Sequence, residues 1–218
     1  MTKRINWQEA LKVYLIGGTQ DVVDGNLVTL LSEAIQGGIT CFQLREKGPR
    51  ALEKRADVEE LAKECQELCR RASIPFIIND DVALAVKLKA DAVHVGQSDR
   101  GIIATLNEVK PLGIDVGLSI NTLDQFKKAL TISELDYVGI GPVFKTQSKA
   151  DAQPVVGMKL LKEAVQLGPK LPKVAIGGIT VDNVAAVKAT GVDGVAVISA
   201  ITMSPRISRT ILALGGKS

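Results

Sequence analysis

Short apolar, β-branched runs alternate along this chain with longer stretches whose apolar residues return every three to four positions. The short runs occupy 12–18, 40–46, 75–79, 92–96, 115–120, 137–144, 173–177 and 194–199, and most end in glycine or polar residues. Runs of that length bounded by turn residues predict strands. The longer stretches predict helices over 26–36, 50–71, 81–88, 101–109, 123–130, 158–166, 180–188 and 205–214, with a short leading helix over 6–11. Within 26–36, Leu27, Leu30, Leu31, Ala34 and Ile35 share one helical face, and Gly37-Gly38 supplies the stop. Within 50–71, Val58, Leu61, Ala62, Cys65, Leu68 and Cys69 form the apolar stripe. Asp81 and Thr180 stand where helix caps belong.

Eight strand-then-helix units with nearly continuous apolar strands predict a parallel sheet covered by helices. Eight such units close most simply into a single (β/α)8 TIM barrel spanning 1–218. An open doubly wound sheet is the rival arrangement. It would carry a Gly-rich dinucleotide fingerprint after the first strand, and Gly17-Gly18-Thr19-Gln20 does not have that pattern.

Composition narrows the function more than the fold. The chain is 46% hydrophobic, enough for one large core, but only 3% aromatic, so base-stacking platforms for nucleic acid are not expected. A net charge of +3 is too mild to argue for nucleic-acid or membrane binding and suits anionic small molecules. There is no apolar run of about 18 residues and no signal-peptide core at the N-terminus, so a soluble cytoplasmic protein is expected. The odd set Cys41, Cys65 and Cys69 reads as small buried hydrophobes rather than a disulfide framework. A closed tetrahedral metal site would need about four ligands, and the single histidine, His94, lies on another strand.

Candidate chemistry gathers at the C-terminal ends of the predicted strands, where barrels of this kind carry their active sites. After the second strand, alternation places Gln43, Arg45 and Lys47 on one face and Leu44 and Glu46 on the other. An amide and two cations on one surface suit a multiply charged anion such as a diphosphate, although a solvated strand end is the plainer alternative. Asn79, Asp80 and Asp81 follow the third strand, Gln97 and Asp99 the fourth, and Ser119 lies near the end of the fifth. Asp80 and Asp99 could converge across neighbouring strands. Two carboxylates beside a cationic cradle suggest magnesium, which takes one or two carboxylates plus phosphate oxygens and waters. Paired acid–base carboxylates remain an alternative, and Asp99 could instead cap the next helix.

Gly177-Gly178 ahead of Thr180, with Ile198-Ser199 on the next strand end, predicts a second anion site built from backbone N–H groups. Two anion sites on one rim imply either a substrate with two phosphates or two phosphorylated substrates. The loop over 145–156 exceeds an ordinary connection and could carry Lys149 across the rim as a lid. His94 reads as a barrel-wall residue, since no nucleophile is paired with it.

Taken together, seven stretches resemble the thiamine phosphate synthase family. They are Gln43-Leu44-Arg45-Glu46-Lys47, Ile78-Asn79-Asp80-Asp81, His94-Val95-Gly96-Gln97-Ser98-Asp99, Gly139-Ile140-Gly141-Pro142-Val143-Phe144, Thr146-Gln147-Ser148-Lys149, Ile176-Gly177-Gly178-Ile179 and Val197-Ile198-Ser199-Ala200, in that order. The resemblance implies a TIM barrel that joins hydroxymethylpyrimidine diphosphate to hydroxyethylthiazole phosphate, requires Mg2+, and releases thiamine monophosphate and pyrophosphate. It implies that Gln43, Arg45, Lys47, Asn79, Ser119 and Lys149 hold the pyrimidine diphosphate, with Lys149, Arg45 and Ser119 serving catalysis. Asp80 and Asp99 would bind the metal. Thr146, Ser148, Gly178, Ile198 and Ser199 would contact the thiazole phosphate. Ser148 stands where the family often has threonine, which keeps the hydroxyl, and Ser98 replaces a commonly acidic neighbour of Asp99. The alternatives are a thiazole tautomerase-like relative, expected to lack the Asp80 and Asp99 features, and a non-catalytic sensor of thiamine precursors.

Overall fold

Each of the eight apolar runs forms a strand, and the last strand pairs with the first. A computed structural model describes residues 4–23, 26–97, 101–146, 148 and 154–216. In chain order the elements are α1 (Trp7–Ala10), β1 (Val13–Gly17), α2 (Leu27–Gln36), β2 (Cys41–Leu44), α3 (Arg55–Ala72), β3 (Phe76–Asn79), α4 (Val82–Leu88) and β4 (Ala92–Val95). There follow α5 (Ile102–Val109), β5 (Asp115–Ile120), α6 (Leu123–Ala129), β6 (Tyr137–Ile140), α7 (Gly157–Leu167), β7 (Lys173–Ile176), α8 (Val184–Lys188), β8 (Gly194–Val197), α9 (Ser199–Thr202) and α10 (Ile207–Leu214). All neighbouring strands run parallel in a closed barrel, with Tyr14 of β1 opposite Cys41 of β2 and Ala196 of β8. The (β/α)8 architecture holds, and the open-sheet rival does not.

Strand alternation builds two cores. Leu15, Phe42, Ile78, Val93 and Val116 face outward and are covered by helices. Tyr14, Cys41, Ile77, Ala92, Tyr137, Val174 and Ala196 fill the inside. Burying one large apolar side chain contributes roughly 1.5–3 kcal/mol, so these layers supply most of the driving force. From α1, Trp7 reaches into the inner cluster, stacks on Tyr137 at 4.5 Å between ring centroids, and donates its indole N–H to Asp115 Oδ2 at 2.8 Å. That plug closes the N-terminal end, so the open mouth lies where the strands end.

The base of the barrel repeats one device four times. The residue just before each even strand accepts a backbone N–H at or next to the start of the preceding odd strand. Thr40 Oγ1 accepts from Val13 at 2.8 Å, Asp91 from Phe76 at 2.8 Å, Asp136 from Val116 at 2.7 Å and Asp193 from Lys173 at 2.8 Å. N–H groups at strand starts are thus satisfied without lengthening the ladder.

Several predicted boundaries shift; β2 ends at Leu44 rather than 46, and α10 starts at Ile207 rather than 205. β6 ends at Ile140 rather than 144, because Pro142 has no N–H to donate and the chain turns to lie against the end of β7. α3 starts at Arg55 rather than 50, because Gly48 and Arg50 take positive φ in a turn. β8 ends at Val197, and Ser199 opens α9. α8 starts at Val184, after a turn in which Asn183 Oδ1 accepts from Thr180 N at 2.9 Å. Among the described residues no helix is long and apolar enough to cross a membrane.

Candidate active site

The rim is built upward from β2. Arg45 is 5% exposed and Lys47 is exposed, and both line a pocket of about 370 Å³ at the C-terminal mouth. On the opposite face Leu44 joins the outer core. Glu46 also turns away from the pocket. It accepts from Thr19 N at 2.6 Å, Thr19 Oγ1 at 2.8 Å and Leu52 N at 2.9 Å, which anchors both flanking loops. Gln43 points inward as alternation requires, yet it is not at the pocket wall. It lies below, 1% exposed, with Nε2 donating to the Tyr14 hydroxyl at 2.7 Å.

Asn79 and Asp80 line the pocket beside these cations. Asp80 adopts φ +60°, an uncommon conformation for a residue with a side chain, and its Oδ2 lies 3.2 Å from Lys47 Nζ. Asp81 has the structural role expected of it: Oδ1 accepts from Leu84 N at 2.9 Å as the N-cap of α4, and the carboxylate pairs with Arg55. Asp99 and Lys149 lie outside the described residues, as does half of the predicted lid. His94 sits in the barrel wall on β4, but the expectation that no hydroxyl is paired with it fails, because closure of the sheet brings its Nε2 within 3.0 Å of Ser119 Oγ on the neighbouring strand. Ser119 lines the pocket.

Across the mouth a second group assembles. Ser148 Oγ donates to Ser199 Oγ at 3.2 Å, and Ser148 N donates to Thr146 Oγ1 at 3.2 Å, which brings three predicted residues together. Gly178 and Ile198 line the same region. The loop between β7 and α8 needs its glycines: Gly177 has φ +102° and Gly178 φ +63°, and a Cβ on Gly178 would sit 2.6 Å from Lys145 O. Asn183 Nδ2 donates to Gly178 O at 2.9 Å and holds the turn.

Among the lining residues without a predicted substrate role are Gln97, already placed on the rim by the sequence, and Asn121 and Gln125, which it did not single out. Gln97 donates Nε2 to Ser119 O at 2.7 Å, Asn121 donates Nδ2 to Gly141 O at 2.6 Å, and Gln125 Oε1 accepts from Asn121 N at 2.7 Å. Asn121 directly follows β5, so the strand-end rule would have found it. Gln125 enters from the first turn of α6, where only the turn geometry reveals its direction. Among the described residues the pocket therefore has a cationic end with one carboxylate and, opposite, an end of hydroxyls and a glycine-rich loop. Such a mouth can receive two anionic groups at once.

The three cysteines are buried, and burial pushes the Cys41 thiol up and Cys65 to about 12. They pack as small hydrophobes, away from the pocket lining.

Comparison with known proteins gives the site a context. The family profile described as "Thiamine monophosphate synthase" matches residues 13–201. A thiamine-phosphate synthase of Listeria welshimeri is 49% identical over 195 residues, covering 89% of this chain and 93% of the relative. One from Actinobacillus succinogenes is 48% identical over 210 residues, covering 92% and 94%. A solved thiamine phosphate pyrophosphorylase from Pyrococcus furiosus superposes with a TM-score of 0.84 at 33% identity, covering 96% of both chains.

Proposed function

The chain belongs to the thiamine monophosphate synthase family, and from that premise we propose that it joins hydroxymethylpyrimidine diphosphate to hydroxyethylthiazole phosphate, yielding thiamine monophosphate and pyrophosphate. The observation that carries this reading is one pocket with two unlike anion-binding ends: Arg45 and Lys47 on one side, the Gly177-Gly178 loop with Ser148 and Ser199 on the other. A diphosphate suits the first and a monophosphate the second.

The reaction breaks the bond between the pyrimidine methylene carbon and the diphosphate oxygen, whose electron pair leaves with the diphosphate. The thiazole nitrogen then supplies the pair that forms the new carbon–nitrogen bond. This dissociative order requires stabilisation of the departing charge and no protein nucleophile. Arg45, Lys47 and Lys149 supply cations for the diphosphate, with Asn79 and Ser119 on the pyrimidine side and Gln43 beneath them. Thr146, Ser148, Gly178, Ile198 and Ser199 position the thiazole phosphate so that its nitrogen faces the methylene carbon.

Magnesium fits this donor set. The Asp80 carboxylate lines the pocket with its side chain 30% exposed, beside the proposed diphosphate cations, and hard oxygen ligands of that kind suit a cation that also takes phosphate oxygens. Asp80 and Asp99 would hold it, and when bound it neutralises charge on the diphosphate. Among the described residues, which do not include Asp99, no three or more His, Cys, Asp or Glu side chains are grouped as metal ligands. Three buried free cysteines suit the reducing cytoplasm.

Pyrophosphate release by Lys149→Ala and Asp99→Ala tests the mechanism. Each should fall by roughly 100-fold or more while the circular dichroism spectrum stays that of the parent. Near-native rates in both would refute it.

A further inference from the structure

Inside the barrel runs a line of polar side chains whose length the reaction does not explain. Gln43 Nε2 donates to the Tyr14 hydroxyl at 2.7 Å. The Tyr14 and Tyr137 hydroxyls lie 3.1 Å apart. The Tyr137 hydroxyl is 3.1 Å from His94 Nδ1, and His94 Nε2 is 3.0 Å from Ser119 Oγ at the pocket wall. Five strands thus link a buried amide to the site. The chain has only two tyrosines, one tryptophan and one histidine, and all four ring systems meet here.

The surroundings are shaped to fit. A Cβ on Gly117 would lie 2.5 Å from both His94 Nδ1 and the Tyr137 hydroxyl, and one on Gly139 would lie 3.3 Å from His94 Cε1. Glycine at both positions leaves room for the imidazole–phenol pair. Burial pushes the acidity of both phenols well away from neutrality, so each keeps its proton. Apolar rings would fill the same space without the cost of burying hydroxyls.

Counting protons fixes the direction. With Gln43 donating to Tyr14, the Tyr14 proton turns to the Tyr137 oxygen. The Tyr137 proton then turns to His94 Nδ1, which accepts it only if the neutral ring carries its own hydrogen on Nε2. That Nε2–H points at the Ser119 oxygen, and the serine proton is left to face the pocket. In the reverse order Tyr14 would receive protons from both neighbours and have no acceptor for its own.

We propose that this relay is ordered from Gln43 to Ser119, holds His94 as the Nε2–H tautomer, and so presents the Ser119 hydroxyl as a donor to an acceptor atom of the pyrimidine diphosphate. Tyr137 and His94 are positioning residues in this scheme. The last link rests on the reading of Ser119 as a pyrimidine-diphosphate contact. The tautomer does not depend on that reading.

The single histidine makes the tautomer directly measurable. Nitrogen-15 NMR of substrate-free protein labelled at histidine should show a protonated Nε2 and an unprotonated Nδ1. Tyr137→Phe, which retains the ring stacked on Trp7, should abolish that preference, whereas Tyr14→Phe should keep it, because Tyr137 can still donate to Nδ1. A protonated Nδ1 in the parent, or equal behaviour of the two variants, overturns the relay. In a binding titration Tyr137→Phe should weaken pyrimidine diphosphate by roughly 3- to 10-fold, leave thiazole phosphate unchanged, and add nothing in a Ser119→Ala background. An undiminished affinity overturns the donor role of Ser119. If the parent itself binds no pyrimidine diphosphate, the proposed function and this last link fail together while the NMR result still decides the relay.

Discussion

At the scale of single residues, the site depends on backbone shape as much as on charge. Gly178 illustrates this. Its φ of +63° is costly for a residue with a Cβ, and the added carbon would press on Lys145 O. Gly178→Ala should therefore raise KM for the thiazole phosphate by about 10-fold or more, with KM for the pyrimidine diphosphate within about twofold of the parent. Steady-state kinetics with each substrate varied in turn checks this. An equal rise in both would contradict the assignment of that loop to one substrate. The glycine pair was legible only in company, because two glycines also make a plain turn and it was Ile198-Ser199 on the next strand end that pointed to an anion site. Arg45 and Lys47 were legible from period-two alternation alone. Gln43 was only half legible: its direction follows from alternation, but its partner Tyr14 is a neighbour only because β1 and β2 pair in a particular register. Asp80 shows the same limit, since nothing local announces its ion pair with Lys47, 33 residues away.

At the scale of elements, the strands carry the information and their ends blur it. The run beginning at 137 is apolar through 144, and hydropathy alone cannot tell that Pro142 interrupts the ladder. Thr180 and Asn183 compete for the start of α8, and Asn183 is the N-cap residue, with its side chain folded back onto the Thr180 N–H. The four caps at the base of the barrel were not anticipated, although each stands immediately before an even strand. Their pairing is visible only once odd and even strands lie side by side. Lys173 opens β7 in this layer, 2% exposed, and burial lowers its pKa. The unfolded chain then binds its proton more tightly than the folded one. The resulting penalty is fully present below the lowered folded pKa and is relieved as pH rises from there towards the ordinary lysine range. Lys173→Met should thus be more stable than the parent where the lysine is charged, and the difference should shrink as the pH approaches about 10. Urea unfolding at several pH values measures it. A pH-independent difference would contradict the burial argument.

At the scale of the whole molecule, closure of the sheet explains why distant segments share one mouth. Eight repeated units predicted the barrel, and the barrel in turn predicted that strand ends would converge, as Arg45, Asn79, Ser119, Thr146, Gly178 and Ser199 do. The interior was less legible. The same closure that gathers the rim brings Trp7, Tyr14, His94 and Tyr137 together from four separate segments, and no local pattern marks them as a set. The central claim is that the two ends of this mouth hold two different phosphorylated substrates and join them. The most direct measurement incubates the purified protein with hydroxymethylpyrimidine diphosphate, hydroxyethylthiazole phosphate and magnesium and follows both products. Thiamine monophosphate and pyrophosphate should appear in equal amounts, and neither should form when one substrate is withheld. Binding of the thiazole phosphate with no thiamine monophosphate formed would contradict the account and favour a tautomerase-like or sensing role.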